Sequence, residues 1–278
     1  MKPGGVTVVL SGGGAKAAAH IGAVRALVES DLTPVRYVAT SMGAVIAAGL
    51  ASGMAGEDLL TRLTEVGAQG IARDPFAVFR GLFARSLLRA APLRRSIADL
   101  VPVTRFADLK TPLTVSVTDL DSGELLLYGA GGRDAPLLDV LVATTALPLY
   151  YPPVLLNGQR CGDGGLRGVL PLEIGAHLGN EPIVAVDVGP GFEAANTVEL
   201  PTTPALIRAH DEAVGTLMAA HTQEQLARWR AEAGRPALTY VRPSIERYAT
   251  FRVDRMREYS EQGYRATRDA IARSAART

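Results

Sequence analysis

The chain has one cysteine, one tryptophan and four histidines among its 278 residues. A lone thiol, Cys161, cannot close an intrachain disulfide, and no Cys/His cluster offers a ligand set for a structural zinc. An excess of one charge is missing too. With 29 basic against 28 acidic residues the net charge is +1, so no field spans the molecule that would hold a nucleic-acid backbone. Long apolar runs are also absent. The most apolar stretch, Gly43 to Ala55, is about 13 residues where a bilayer span needs roughly 20, and it is expected to be a buried helix. The first apolar run, Val6 to Leu10, is short and has no small-residue cleavage site of a secretory signal. A reducing, cytoplasmic location is therefore expected.

What is present is the material of a globular core: 47% hydrophobic and 21% charged residues, with 29 Gly and 17 Pro, exclude a disordered or fibrous chain. Strands and helices alternate. Val6 to Leu10 reads as a strand, Ser11-Gly12-Gly13-Gly14 as a loop, and about Ala17 to Glu29 as a helix. A second strand, Val35 to Ala39, runs into Thr40-Ser41-Met42-Gly43 and a helix over Ala44 to Ser52 that Gly53 can end. Further strands are expected at Leu113 to Thr118, Glu124 to Tyr128, around the Asn157-Gly158 hairpin, and at Ile183 to Val188. Residues 189–204 read as a connector to two helices, about Pro204 to Ala233 and Val253 to Ala276. The pattern predicts one α/β domain over residues 1–278, with a core at 4–190 and a C-terminal helical part at 204–278. Its architecture is a three-layer α/β/α arrangement around a mostly parallel sheet.

Three short motifs carry chemistry. In Ala39-Thr40-Ser41-Met42-Gly43 a serine sits at a sharp strand-to-helix turn, exposed and backed by a helix N-terminus, where it can attack an acyl carbon. A serine capping an ordinary helix would present the same letters. Consecutive glycines in Gly12-Gly13-Gly14-Ala15-Lys16 let backbone N–H groups converge on an anion, as an oxyanion hole requires. Nucleotide binding fits this loop poorly: the second strand ends without an acidic residue for a ribose, and Lys16 is followed by Ala17 rather than Ser or Thr. Asp163-Gly164-Gly165 follows the short strand Gln159 to Gly162. By itself it is a turn, but no histidine has a catalytic motif: His20, His177, His210 and His221 all fall in helical patterns. Asp163 is thus a candidate base.

Taken together and in order, these motifs resemble the patatin-like phospholipases, whose pattern is G-G-G-x-R/K-G, then G-x-S-x-G, then D-G-G/A. The surroundings are similar as well: His20-Ile21-Gly22 after the first loop, Pro112-Leu113 to Asp119-Leu120, Ala146-Leu147-Pro148 to Pro152-Pro153-Val154, and Glu258 to Ala266. The resemblance implies a serine acyl-ester hydrolase of the lipase or phospholipase type that works through an acyl-enzyme on a phospholipid or another fatty-acyl ester. It implies Ser41 as nucleophile, Asp163 as base, and an oxyanion hole from Gly12, Gly13, Gly14 and Met42. Lys16, Gly43, Gly164 and Gly165 take supporting places, and no metal or other cofactor is called for. An acyltransferase with the same dyad and a weakened lipid-binding protein are the alternatives. Ala39 and Ala17 stand where the family has glycine, and Gly168 where many members have Asn. Alanine is acceptable at such positions if φ is negative and costly if φ must be positive.

Between Ile71 and Ser96, arginines alternate with Phe and Leu at near-helical spacing. An ordinary amphipathic helix packed on the core is the plainer reading, and peripheral contact with an anionic membrane is the other. Cys161 reads as a small buried residue, Asp119 and Asp121 as turn formers, and Trp229 as an exposed or half-buried helix position.

Overall fold

A computed structural model describes residues 4–70, 86–192, 204–246, 250 and 252–276. Among the described residues eight strands form one sheet: β1 (Gly4–Leu10), β2 (Leu32–Thr40), β3 (Leu113–Asp119), β4 (Leu125–Gly129), β5 (Val154–Leu156), β6 (Gln159–Asp163), β7 (Ile183–Val186) and β8 (Leu238–Val241). Five of them, in the order β3-β2-β1-β7-β8, are parallel neighbours, whereas β4, β5 and β6 pair antiparallel. The sheet is thus mixed and mostly parallel, as expected, with five parallel strands and three antiparallel ones at one side. The short strand β8 was not anticipated, because Leu238-Thr239-Tyr240-Val241 follows a long helix and is too brief to stand out against it.

Register along β3 brings the chemistry-bearing strand ends together. β2 pairs with the first part of β3, setting Thr40 opposite Ser116. β6 pairs with the last part, setting Asp163 opposite Val117. β4 covers Thr114 to Thr118, which occupies one edge of β3 throughout, so β2 and β6 share the other edge. They point at each other there and end one residue pair apart.

Helices cover both faces. α1 (Ala18–Val28), α2 (Met42–Ala51), α3 (Gly56–Gly70), α4 (Ala90–Leu100), α5 (Leu137–Thr144), α6 (Gly165–Gly168), α7 (Leu172–Leu178), α8 (Ala205–Ala231) and α9 (Met256–Ala275) are described. Alternation along β1 divides the core, since successive side chains of a strand face opposite ways. Val8 and Leu10 join the larger cluster with α1, α2 and α9, and Val9 joins the smaller one with Leu170, Ile183, Leu226 and Trp229. Trp229 is only 6% exposed, which corrects the exposed or half-buried position expected for it. The C-terminal half of α8 turns Leu226 and Trp229 into the second face of the sheet. α2 is buried along nearly its whole length, as the run of small apolar residues required.

α9 lies against α1 at unusually close range. A β-carbon at Gly263 would stand 2.0 Å from the carbonyl oxygen of Ala19, and one at Gly22 would stand 1.8 Å from that of Ser260. Only glycine at both positions permits this approach. Residues 71–85 of the arginine-rich segment fall outside the described residues, as do 193–203 of the connector. The remainder of the segment runs into α4, where Arg94 pairs with Asp139 at 2.5 Å, and the same helix buries Ile97 and Leu100 just past the end of the segment. No described helix is long and apolar enough to cross a membrane.

Candidate active site

β2 ends at Thr40, and α2 begins at Met42 with Ser41 alone between them. The reversal forces Ser41 to φ 54° and ψ −136°, a left-handed conformation that costs a residue with a β-carbon about 1–3 kcal/mol. Gly43 makes the turn possible, because a β-carbon there would sit 2.3 Å from the carbonyl oxygen of Ser11. The half-buried Ser41 is held in front of the positive end of α2.

Asp163 closes β6 on the same edge of β3. Its Oδ2 accepts a hydrogen bond from Ser41 Oγ at 2.7 Å, across 122 positions of sequence. Its Oδ1 accepts one from the Gly165 amide at 2.7 Å, and its carbonyl accepts one from the Thr118 hydroxyl at 2.9 Å. Gly164 passes so close to β3 that a β-carbon would lie 2.3 Å from the Ser116 carbonyl oxygen. Burial of the carboxyl pushes its pKa up to about 6, and the hydrogen bonds from Ser41 and Gly165 oppose that rise only in part.

Among the described residues no imidazole bonds to Ser41 or Asp163. His20 is fully buried, and its Nε2 donates to the Ser11 carbonyl at 2.9 Å. Desolvation lowers its pKa to about 4, so it is neutral near pH 7. It steadies the strand end before the glycine loop. His210 contacts Asp211, and His221 lies near Gly168.

The glycine loop meets the elbow directly. A β-carbon on Gly12 would touch Ser41 Cβ at 3.0 Å, and one on Gly13 would come 2.9 Å from the Val188 carbonyl oxygen. Gly14 has φ +59°. The assignment of a donor role to Gly12 needs correcting. Its amide already donates to the Val169 carbonyl at 3.0 Å, so Gly12 supplies room beside Ser41 and not an N–H for an anion. Met42 is the first residue of α2, where a backbone amide has no acceptor one turn back in the helix. Lys16, 5% exposed, donates to the Gly189 carbonyl at 3.5 Å. It thereby ties the start of the helical segment to the end of β7.

Two departures from the glycine pattern are harmless to the backbone. Ala39 lies within β2 and is fully buried in the larger core, and Ala17 has φ −60°. Neither residue has the positive φ that would require glycine. At Gly168 the neighbouring space is taken by His221 and Gln225 from α8.

Sequence reading missed two groups of supporting residues. Thr144, at the end of α5, accepts a hydrogen bond from the Ser41 amide at 2.9 Å and donates to the Ser116 carbonyl at 2.7 Å. The buried Asp187 accepts from the Gly189 amide and from Tyr240, and pairs with Arg242 at 3.1 Å. It fixes the turn from which the Val188 amide donates to Ser11 Oγ at 2.8 Å. These partners come from distant elements and belong to no contiguous motif. The one available signal for Thr144 was its place just before Ala146-Leu147-Pro148.

Comparison with known proteins adds an independent finding. A family model described as patatin-like phospholipase matches residues 8–175. An uncharacterized NTE family protein of Mycobacterium tuberculosis is 29% identical over 193 residues, covering 68% of this chain and 50% of that protein. Patatin-like phospholipase domain-containing protein 6 of Homo sapiens is 28% identical over 192 residues, 66% of this chain and 13% of that protein. This chain thus spans half or less of the length of these relatives. Among solved structures, VipD from Legionella pneumophila aligns over 98% of this chain and 67% of its own, at a TM-score of 0.48 and 15% identity.

Proposed function

Because this chain belongs to the patatin-like phospholipase family, we propose that it hydrolyses fatty-acyl esters with Ser41 as nucleophile and Asp163 as its base. The observation that carries this reading is the 2.7 Å hydrogen bond from Ser41 Oγ to Asp163 Oδ2, made by a serine strained at the elbow.

In the proposed reaction the Asp163 carboxylate takes the Ser41 proton as Oγ attacks the ester carbon. A base with a pKa near 6 is ionised at neutral pH, yet is stronger than an ordinary aspartate. In the same proposal the amides of Gly13, Gly14 and Met42 stabilise the tetrahedral oxyanion, an effect of about 3 kcal/mol per well-placed donor. On collapse of the intermediate, protonated Asp163 returns its proton to the departing alcohol or lysophospholipid. Asp163 then draws a proton from water as it attacks the acyl-Ser41 ester and hands that proton to Ser41 Oγ as the second intermediate collapses, releasing the carboxylic acid and restoring the dyad.

A panel of acyl esters of graded chain length, phospholipids included, tests the reading with wild type, Ser41→Ala and Asp163→Asn. Each substitution is expected to lower kcat by about a thousand-fold or more while the fold persists. A fluorophosphonate is expected to label wild type but not Ser41→Ala. Retained turnover in either variant would refute the dyad.

A further inference from the structure

The strained elbow poses a problem that the two dyad residues do not solve. Ser41 precedes the first turn of α2, so its own amide has no acceptor within that helix. A nucleophile held at positive φ also needs an external contact to keep it from relaxing. Thr144 supplies that contact. Its side chain is completely buried, and its Oγ1 accepts the Ser41 N–H at 2.9 Å. A backbone N–H can only donate, so Oγ1 is the acceptor here, and its own hydrogen goes to the Ser116 carbonyl at 2.7 Å.

Ser116 is a meaningful anchor. It is the β3 residue opposite Thr40 at the end of β2, and its neighbour Val117 is opposite Asp163 at the end of β6. Through Thr144 the nucleophile is thus registered against the same strand that carries its base. We infer that Thr144 is the positioning residue of the nucleophile, setting Ser41 Oγ at bonding distance from Asp163 without touching substrate. This inference rests on the proposal that Ser41 is the nucleophile.

Thr145 provides an internal control. It stands next in sequence and is also buried, but its hydroxyl donates back to Leu141 and Val142 at the end of α5. Removing it disturbs the same helix end without reaching Ser41.

The test compares full-length wild type, Thr144→Val, Thr144→Ser, Thr145→Val and Ser41→Ala. It measures kcat and KM for a soluble p-nitrophenyl ester and the rate of labelling by a fluorophosphonate, each per folded molecule. Thr144→Val keeps the shape and loses the acceptor. It is expected to lower kcat and the labelling rate about 10- to 100-fold, as misplacement of a reacting group does, with KM changed by less than about two-fold. Thr144→Ser is expected to restore both to within about three-fold, and Thr145→Val to match wild type. Should Thr144→Val not fold, Thr144→Ala, which introduces no bulk, makes the same comparison with Thr144→Ser. If Ser41→Ala is inactive but Thr144→Val keeps wild-type kcat, or Thr144→Ser loses as much as Thr144→Val, the assignment of Thr144 alone is overturned. If wild type is neither active nor labelled, or Ser41→Ala retains both, the reading of Ser41 fails and takes this inference with it.

Discussion

Asp163 is the residue on which pH should act. With burial raising its pKa to about 6, the proposed base loses its charge below that value. kcat/KM is therefore expected to fall about ten-fold for each pH decrement of one on the acid side and to level off above about pH 7. A rate profile from pH 4.5 to 8.5 checks this, and a midpoint near 4 would mean that the carboxyl is solvated in the working enzyme. Stability carries the opposite sign. Folding lifts the pKa from its ordinary 3.8 to about 6, so between those values the folded chain holds a proton that the unfolded chain releases. Stability then declines as pH rises through that window, and above it the buried charge weighs fully against the fold. Asp163→Asn removes the charge and is expected to gain up to about 2–3 kcal/mol at pH 7.5, but little at pH 4. Urea unfolding at the two pH values reads the difference, and equal stabilities at pH 7.5 would contradict it.

At the scale of elements, the contact that holds the glycine loop steady is the crossing of α9 over α1. The loop runs through one helical turn, Gly14–Ala17, directly into α1, so displacing that helix displaces the loop. Gly263→Ala would place a methyl 2.0 Å from the Ala19 carbonyl oxygen, a backbone atom that cannot rotate away. A loss of about 1–3 kcal/mol or more is expected, along with reduced turnover per folded molecule. Urea denaturation of the variant measures the first, and an unchanged midpoint would show that the two helices are not so closely packed. The small residues of this pair are visible in the sequence, but nothing in either segment alone says which helix the other meets. Ala39 and Ala17 give the converse lesson. From the motif they were departures; placed on a strand and in a right-handed turn, they ask nothing unusual of the backbone.

At the scale of the molecule, the sheet and both of its covers depend on residues beyond the stretch that matches the family model. β7 pairs with β1, and β8 closes the sheet beyond β7. Leu226, Trp229, Val241, Met256, Tyr259 and Ala270 are all buried in the two core clusters. A chain ending at Pro190 would lose α8, β8 and α9 and uncover the face of α1. It is expected to show no cooperative unfolding in a urea titration followed by circular dichroism, because a domain without one side of its core does not recover the entropy of ordering. A sharp transition at the wild-type midpoint would show that the C-terminal elements are dispensable.

What the sequence determined by itself was local. The strand, one-residue turn and helix around Ser41, the glycine loop after β1, and the turn after Asp163 are written in contiguous letters, because strand and helix periodicity and the steric freedom of glycine act over a few residues. Family resemblance implied the roles proposed for them. Only the tertiary structure decided that Ser41 and Asp163 touch, since that follows from two strands ending against each other along one edge of β3. It also decided that the Gly12 amide is taken by the Val169 carbonyl and that the Ser41 amide is taken by the Thr144 hydroxyl. A hydrogen bond spends each amide once, and which acceptor receives it depends on where the folded chain has brought the other elements.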